Sequence, residues 1–368
     1  MQDNYCAAVD AGLFVYSNGN VGLCCSGAKP LGDINTESVQ DIFRKQRFIE
    51  IRNNLRNNIA DSYCEGCDNA DRTAPKTSQR WAFNDSFGRL EQRELRLIDI
   101  RWSNVCNLSC RYCNIADSTS WMKLHNIPIK TVNRPYVQSI LDEVAANKDT
   151  ISCVYLLGGE PLLQKHNEEL LDIVRKDVKI DVLTNMSIKL DNNLIYQKLR
   201  TMDTVLWNLS FDNVGQRFEY VRHGADWELL KQNIKTLHND FGRRRVTFHP
   251  VYTIWNALNL KEFYDFADQN SARVNWQIAL PKRDILASDT FIVFGHKRKI
   301  IDRAIKEIDD LIRYDVSLEG IKQSLIKDIE KPGRDKEFLE WTAKMESFMP
   351  PVDSFQNLWP ELFTLLNE

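Results

Sequence analysis

The sequence CNLSCRYCN, residues 106–114, places three cysteines at spacings of four and three. Thiolates are soft ligands, and cysteines repeated this closely around a tight loop suit an iron–sulfur cluster or zinc. A disulfide between such near neighbours would strain the backbone. Structural zinc and electron-carrying clusters take four protein ligands, and no cysteine or histidine follows closely behind this loop. The loop therefore indicates a metal centre with one open site, which favours catalysis.

These residues resemble the CxxxCxxC signature of the radical SAM superfamily. The resemblance implies that Cys106, Cys110 and Cys113 hold a [4Fe-4S] cluster and act as the catalytic centre. It also implies that the fourth iron is chelated by the amine and carboxylate of S-adenosylmethionine (SAM). Tyr112 matches the aromatic residue that the family usually places before the last cysteine, and we expect it beside the cofactor. Because similar spacings also occur in structural metal-binding loops, the motif needs support from the rest of the chain.

The composition is that of a soluble globular protein, with 43% hydrophobic and 27% charged residues among 368. The formal charge of −3 gives no electrostatic reason to bind a nucleic acid. The amino terminus carries no secretory signal, and no apolar run is long enough to cross a membrane. We therefore expect a cytoplasmic protein that binds neither nucleic acid nor membrane.

Nine cysteines are many for such a chain, and a reducing compartment argues against disulfides. Besides the three in the loop and the lone Cys153, to which we assign no role, five lie near the amino terminus. They are Cys6, Cys24, Cys25, Cys64 and Cys67. Two metal centres are therefore expected.

The amino-terminal cysteines fall on a predicted hairpin and a predicted Cys-x-x-Cys loop. Residues 13–15 and 21–24 flank Asn18-Gly19, which is a hairpin turn signal. An amphipathic helix predicted over residues 36–55 leads to Cys64 and Cys67. The spacing from Cys6 through Gly19 to Cys24 resembles half of the SPASM/twitch auxiliary-cluster pattern, and the Cys-x-x-Cys pair resembles its continuation.

This second resemblance implies an auxiliary [4Fe-4S] cluster held by Cys6, Cys24, Cys64 and Cys67. Two features depart from the family: the module precedes the catalytic domain, and the further cysteines of a full SPASM domain are absent. We interpret Cys25 as a neighbour that points away, although Cys24 and Cys25 could exchange roles. A structural zinc on the same four cysteines is the alternative.

Between residues 93 and 285, strand-like and helix-like segments alternate. Strands are predicted at residues 95–102, 151–157, 180–184, 205–211, 246–253 and 274–280, and helices at 136–146, 167–175, 192–199, 227–239 and 260–268. The strands are apolar runs without strict alternation, as in buried parallel sheets, and parallel barrels place their chemistry at the carboxyl ends of the strands. Six such units predict part of a parallel barrel, which is similar to the partial (β/α)6 barrel of radical SAM enzymes.

The fold class expected is therefore α/β, with a TIM-like partial (β/α)6 radical SAM barrel. We expect a twitch-like module at residues 1–75, a connector at 76–92, the barrel at 93–285 and a helical carboxyl-terminal region at 286–368. In that last region helices are predicted at residues 300–312, 318–329 and 338–348.

Two predicted strand ends resemble SAM-binding motifs of the family. The second strand ends in Gly158-Gly159-Glu160, like the GGE motif, in which glycines let the backbone approach the methionyl amine and a carboxylate binds that cation. The third ends in Thr184-Asn185, like the TNG segment near SAM, with Met186 where glycine is commoner.

The fourth strand end resembles the SxD…R stretch of SPASM/twitch enzymes. Ser210 and Asp212 follow that strand, and Arg222 lies in the next loop. The resemblance implies that the hydroxyl group reaches the ribose or carboxylate of SAM and that Arg222 pairs with the carboxylate. Asp212 could instead contact the substrate.

Two classes of function remain open. The resemblance favours an enzyme that reductively cleaves SAM to a 5′-deoxyadenosyl radical, which abstracts hydrogen from an unidentified peptide, protein or small molecule. Such an enzyme needs an electron donor of the flavodoxin or ferredoxin type. The alternative is a non-catalytic metal-binding scaffold with a structural zinc in its amino-terminal module. The open iron site and the GGE motif at a strand end favour the enzyme.

Overall fold

The structure is a computed structural model that describes residues 3–25, 29–73, 78–128, 134–279, 293, 296–327 and 334–368. Its backbone divides into two compact units. The first comprises residues 1–105, 129–183 and 192–206, and the second comprises residues 106–128, 184–191 and 207–368. The domain limits expected from the sequence stay a prediction.

The described strands are β1 (Gly12–Val15), β2 (Asn20–Gly22), β3 (Gly32–Asp33), β4 (Leu97–Ile100), β5 (Ser109–Cys110), β6 (Cys153–Leu156), β7 (Lys179–Thr184), β8 (Thr204–Leu209), β9 (Arg222–His223), β10 (Val246–Phe248), β11 (Val251–Tyr252), β12 (Arg273–Val274) and β13 (Gln277–Ile278).

The described α-helices are α1 (Ala8–Ala11), α2 (Val39–Arg44), α3 (Gln46–Arg56), α4 (Glu65–Thr73), α5 (Gln79–Phe87), α6 (Thr119–Leu124), α7 (Arg134–Ala146), α8 (His166–Ile173), α9 (Leu194–Leu199), α10 (Gly215–Val221), α11 (Trp227–Phe241), α12 (Leu260–Gln269), α13 (Arg298–Leu311), α14 (Leu318–Lys327), α15 (Asp335–Phe348), α16 (Phe355–Leu358) and α17 (Pro360–Asn367).

The first unit contains a mostly parallel sheet with the strand order β7-β6-β4-β1-β2-β3. Strands β7, β6, β4 and β1 run parallel, whereas β1-β2 and β2-β3 are antiparallel. The predicted amino-terminal hairpin is confirmed, and Gly19 in its turn has φ +88°, which favours glycine. Because β1 also pairs with β4, the cysteine-rich segment shares a sheet with the parallel strands.

The apolar character of these strands explains their burial. Ile98, Val154 and Ile180 are fully buried, as expected for β-branched residues in parallel strands. Beyond β4, the indole N–H of Trp102 donates to the side chain of Asn167 in α8 at 2.7 Å. This contact marks the face of β4 that packs toward a helix.

Two local predictions for the cysteine-rich segment were wrong in detail. The helix predicted over residues 36–55 is two helices, α2 and α3, because the backbone is extended at Lys45 (φ −60°, ψ 139°). Cys67 lies within α4 and not in a loop. The predicted connector contains helix α5, which begins where the Ser78 side chain accepts a hydrogen bond from the backbone N–H of Trp81.

In the second unit β8, β10 and β12 run parallel, with helices between them in the chain. The strand predicted over 246–253 is divided into β10 and β11, and Pro250, which lies between them, has no N–H to give to a ladder. The strand predicted over 274–280 is likewise divided into β12 and β13, and Leu280 lies outside the described residues. Helices α13, α14 and α15 confirm the predicted helical carboxyl-terminal region, although residues 328 and 329 of the second predicted helix are not described.

The described chain is thus α/β, with mostly parallel strands, many helices and a cysteine-rich module at the amino terminus, as the sequence predicts. None of the described helices is both long enough and apolar enough to cross a membrane.

Candidate active site

The three loop cysteines lie in the second unit, around strand β5. The nine cysteines of the chain, all among the described residues, form no disulfide. Strand β5 pairs antiparallel with β9, which sets Cys110 opposite Arg222 and Ser109 opposite His223. The middle cysteine is thereby held on a short two-stranded ribbon.

The first turn of α6 binds the backbone of the cysteine loop. The Ser118 hydroxyl donates to the carbonyl of Leu108 at 2.7 Å, and the Ser120 hydroxyl donates to that of Cys106 at 2.8 Å. The indole N–H of Trp121 donates to the carbonyl of Cys110 at 3.0 Å. Sequence analysis missed these residues, although the serine-rich start of a helix just after the loop is a signal that could have identified them.

Arg111, between two of the cysteines, joins the loop to the carboxyl-terminal region. Its guanidinium is buried, lies 4.0 Å from the ring centroid of Tyr220, and donates to the carbonyls of Tyr220 at 2.8 Å and Met349 at 3.2 Å. Sequence analysis missed this residue too. The conformation of the loop therefore depends on residues far along the chain.

Three predicted cofactor residues form one hydrogen-bonded network in the second unit, in which Asp212 and Arg222 are buried. The Tyr112 hydroxyl donates to the Asp212 carboxylate at 2.8 Å, and Arg222 donates to it through Nε at 2.9 Å and Nη2 at 3.2 Å. The backbone N–H of Val251 donates to the same carboxylate at 2.8 Å. The other nitrogen, Nη1 of Arg222, makes no hydrogen bond among the described residues.

Asn185 lies next to the first loop cysteine. Its Nδ2 donates to the side chain of Asn107 at 3.0 Å and lies 3.7 Å from the Cys106 sulfur. The following Met186 has φ +52°, a left-handed conformation that explains why glycine is common at this position of the motif. Thr184 and Ser210, which were also predicted to contact the cofactor, are joined by a hydrogen bond. The backbone N–H of Ser210 donates to the carbonyl of Thr184 at 2.8 Å.

The GGE motif lies in the first unit and contacts the chain that leads into the cysteine loop. A side chain at Gly159 would place its Cβ 2.3 Å from the carbonyl oxygen of Val105, the residue before Cys106. The backbone N–H of Glu160 donates to that oxygen at 2.7 Å, and Gly158 has φ +111°. Glu160 itself is fully buried, and its carboxylate accepts from the N–H of Leu162 at 3.1 Å. Both glycines are therefore required by the protein's own backbone.

The buried thiol of Cys110 fits a metal ligand. Burial raises its pKa well above the usual range, and the positive charge of Arg222 lowers it only in part. A thiol in this setting stays protonated unless a further positive charge stabilises the thiolate, and bound iron supplies such a charge.

The four cysteines predicted to hold the auxiliary cluster line one cavity in the first unit, together with Tyr63, Gln79, Arg80 and Phe83. Cys24 lines this cavity, whereas Cys25 does not. Burial raises the pKa of Cys6 to about 12 and that of Cys64 to about 11. The cavity thus gathers four thiols from three separate parts of the sequence.

Arg80 supplies the cavity with a buried positive charge. It is 3% exposed, bonds Asp68 at 2.7 Å and forms a longer ion pair with Asp71, at 3.8 Å from Nη1. Its Nε and Nη1 make no hydrogen bond among the described residues. A buried cation beside four thiols fits an anionic, thiolate-bound cluster. No three His, Cys, Asp or Glu side chains in the described part of the chain are placed to hold a single metal ion. The ligand sets of both centres stay predictions.

Comparison with known proteins identifies both cysteine segments. The sequence matches the Radical SAM superfamily over residues 100–267 and SPASM, an iron–sulfur cluster-binding domain, over residues 6–68. The first match contains the loop cysteines and the strand-end motifs. The second contains all four cavity cysteines, which confirms the predicted amino-terminal place of this module.

Individual relatives match parts of the chain. A 7-carboxy-7-deazaguanine synthase of Clostridium acetobutylicum is 30% identical over 190 residues, which are 48% of this chain and 82% of that protein. A GTP 3′,8-cyclase of Corynebacterium glutamicum is 32% identical over 136 residues, 35% of this chain and 33% of the cyclase. The solved structure of native anSMEcpe with bound AdoMet is 19% identical, covers 59% of this chain and 60% of that one, and has a TM-score of 0.45.

Proposed function

Because this chain belongs to the radical SAM superfamily, whose members are enzymes, we propose that it cleaves SAM reductively to a 5′-deoxyadenosyl radical that abstracts hydrogen from a substrate. Cys106, Cys110 and Cys113 would hold the [4Fe-4S] cluster, which when bound supplies the electron for this cleavage. The main observation behind the proposal is the cysteine loop. Side chains at the start of α6 donate hydrogen bonds to the backbone carbonyls of this loop and so fix the segment that carries the three thiols.

The proposed SAM contacts of the first unit are those of the GGE motif. Gly158 and Gly159 would present backbone carbonyls to the methionyl amine, and the buried carboxylate of Glu160 would balance its charge. The close approach of Gly159 to Val105, and the hydrogen bond from the N–H of Glu160 to the same carbonyl, hold this motif against the chain that leads into Cys106.

The proposed SAM contacts of the second unit are Thr184, Asn185, Ser210 and the Tyr112–Asp212–Arg222 network. Asp212 orients the guanidinium of Arg222 and leaves its Nη1 to bind a carboxylate. The amide of Asn185, placed at the Cys106 sulfur, would orient the first ligand and meet the cofactor beside it. Tyr112 would cover the cofactor while its hydroxyl group holds Asp212.

We further propose an auxiliary [4Fe-4S] cluster on Cys6, Cys24, Cys64 and Cys67. The SPASM match over residues 6–68 and the shared cavity support it. Arg80 would offset the negative charge that four thiolates bring. The enzyme would work in the cytoplasm with a flavodoxin- or ferredoxin-type donor, on a peptide, protein or small molecule, and would bind neither nucleic acid nor membrane.

The proposal is tested by single substitutions in the loop. Cys106→Ala, Cys110→Ala and Cys113→Ala should each abolish 5′-deoxyadenosine formation under dithionite, because two thiolates cannot retain a cluster with an open iron site. Cys153→Ala is the matched control, since Cys153 is a buried thiol in β6 outside both centres, and it should retain SAM cleavage. Undiminished cleavage in any of the three loop variants would contradict the proposal.

A further inference from the structure

Strand β4 carries an unexpected pair of charges at its carboxyl end. Alternate residues of a strand point to opposite faces, so Asp99 and Arg101 share one face and Trp102, which bonds helix α8, lies on the other. Asp99 is only 2% exposed, and the remaining residues of β4 are apolar and buried. A carboxyl group therefore stands within an otherwise apolar strand.

The described residues leave both charges without a hydrogen bond. Arg101 Nη2 lies 3.6 Å from Asp99 Oδ2, which makes an ion pair that is longer than a hydrogen bond. No side chain among the described residues forms a hydrogen bond with either group. The guanidinium lies 5.6 Å from the ring centroid of Tyr16. Burying a carboxylate without hydrogen-bond donors is costly, so its presence requires a reason.

Two phenols frame this pair. Asp99 is in register with Tyr155 on β6, one strand away, and Tyr16 follows β1 on the other side. Burial raises the pKa of both tyrosines, and Asp99 contributes to both increases. We call Tyr16, Asp99, Arg101 and Tyr155 the β4 polar site. It lies wholly within the first unit, at the strand ends where parallel sheets place ligands.

We infer that the β4 polar site binds an amide group of the substrate, with the amide N–H donated to Asp99 and its carbonyl accepting from Arg101. Adjacent acceptor and donor groups match the two halves of an amide. The carboxylate and guanidinium already balance each other's charge, so a neutral dipolar group can enter without the cost of burying further charges. The inference rests on the proposed function only in assigning this ligand to the enzyme's substrate.

The test uses the full-length protein and saturation-transfer NMR with small probes. N-acetylalanine methylamide presents a peptide amide, and 2-pyrrolidinone presents a cyclic one. Binding of either probe supports the inference. The probe that binds more tightly shows whether the site prefers a peptide amide or a cyclic amide. Glycine, acetate and methylammonium test the charged alternatives. At least one amide should bind more tightly than all three charged probes.

Two variants locate the binding. Asp99→Asn and Arg101→Gln should each weaken amide binding roughly tenfold, because each removes a hydrogen bond to a charged group. Asp177→Asn, which changes an exposed carboxylate outside the β4 polar site, is the matched control and should bind amides like the wild type.

Tighter binding of glycine or acetate, or amide binding that is the same in both variants, would overturn the inference. If a variant does not fold, the relative affinities of the amide and charged probes for the wild-type protein test the inference without it. SAM cleavage by the wild type without substrate is measured separately. Its failure would overturn the proposed function and leave amide binding intact, so that the two failures are distinguishable.

Discussion

Asp99 is a residue that the folded protein holds in an unfavourable setting. Burial raises its pKa from the ordinary 3.8 to about 6, with Arg101 opposing the increase. The folded state thus retains a proton that the unfolded chain has lost between about pH 4 and pH 6. The stability that Asp99 contributes is fully present below pH 4 and falls as the pH rises to 6. Above pH 6 the ionised group costs about 3 kcal/mol.

Asp99→Asn should therefore raise the free energy of unfolding at pH 7.5, by up to about 3 kcal/mol, because it removes a buried charge. The advantage over the wild type should shrink as the pH is lowered from 7 to 5. Thermal unfolding of both proteins at several pH values measures this difference. Asp177→Asn, at an exposed carboxylate, is the control. An advantage that stays constant or grows on acidification would contradict the assignment of the pKa to Asp99.

For single residues, the sequence identifies those that belong to motifs and misses those that act through tertiary contacts. The cysteine spacing and the GGE motif are local patterns, so Cys106, Cys110, Cys113 and Glu160 were predicted from them. Asp99 was not, because one charge in an apolar strand resembles an ordinary exposed position. Arg111 was missed because its partners are the carbonyls of Tyr220 and Met349, far along the chain.

Helix α6 is the element that fixes the cysteine loop. Its Trp121 packs with Met345 and Met349 of the carboxyl-terminal region while the indole N–H bonds the carbonyl of Cys110. This combination gives the loop both an apolar support and a directional bond. A short helix after a metal-binding loop can therefore hold the ligand backbone in place without contributing a ligand.

Trp121→Phe should keep most of this packing and remove the hydrogen bond. The carbonyl of Cys110 would keep the backbone N–H of Cys113 at 2.9 Å and lose the indole donor, at a cost of about 0.5 to 1.5 kcal/mol. We expect roughly tenfold faster hydrogen exchange in the peptide containing residues 106–113 and little change in β6. Trp81→Phe, at an exposed tryptophan of α5, is the control. Equal exchange in Trp121→Phe and wild type would show that α6 does not hold the loop through this bond.

Helices were predicted correctly where the hydrophobic periodicity of the sequence extends over many residues. The helices α7, α11 and α12 lie within a few residues of their predicted limits. The break between α2 and α3 at Lys45 was not predicted, because no glycine or proline marks it. The ribbon of β5 and β9 was also missed, since two residues a strand give no pattern and only the tertiary pairing creates it.

Across the molecule, the structure shows how the cysteine-rich module relates to the parallel strands of the first unit. Strand β1 of the module pairs with β4, so the hairpin that carries Cys24 belongs to the same sheet as β6 and β7. The sequence predicts both parts but cannot show that they share a sheet, because strand pairing at this separation leaves no local signal. The proposed auxiliary centre would therefore be held by the sheet that also carries the GGE motif.

The two centres should be separable. In the proposed arrangement the cavity cysteines would supply four thiolates, which would complete the coordination of one cluster, while the loop cysteines would supply three and leave one iron open. Removing Cys106, Cys110 and Cys113 together should therefore leave about four irons per chain after anaerobic reconstitution. The EPR signal of this variant should not change when SAM is added, since no open iron remains to bind it.

Adding Cys64→Ala and Cys67→Ala to that variant is the control, and it should remove the remaining iron because two thiolates cannot retain a cluster. Metal analysis distinguishes the alternative that the sequence left open. If the triple variant retains one zinc and no iron, the four cavity cysteines form a structural site. Electron transfer through the amino-terminal module would then be impossible, since zinc has no redox chemistry, and Arg80 would balance a closed zinc thiolate centre instead of a cluster.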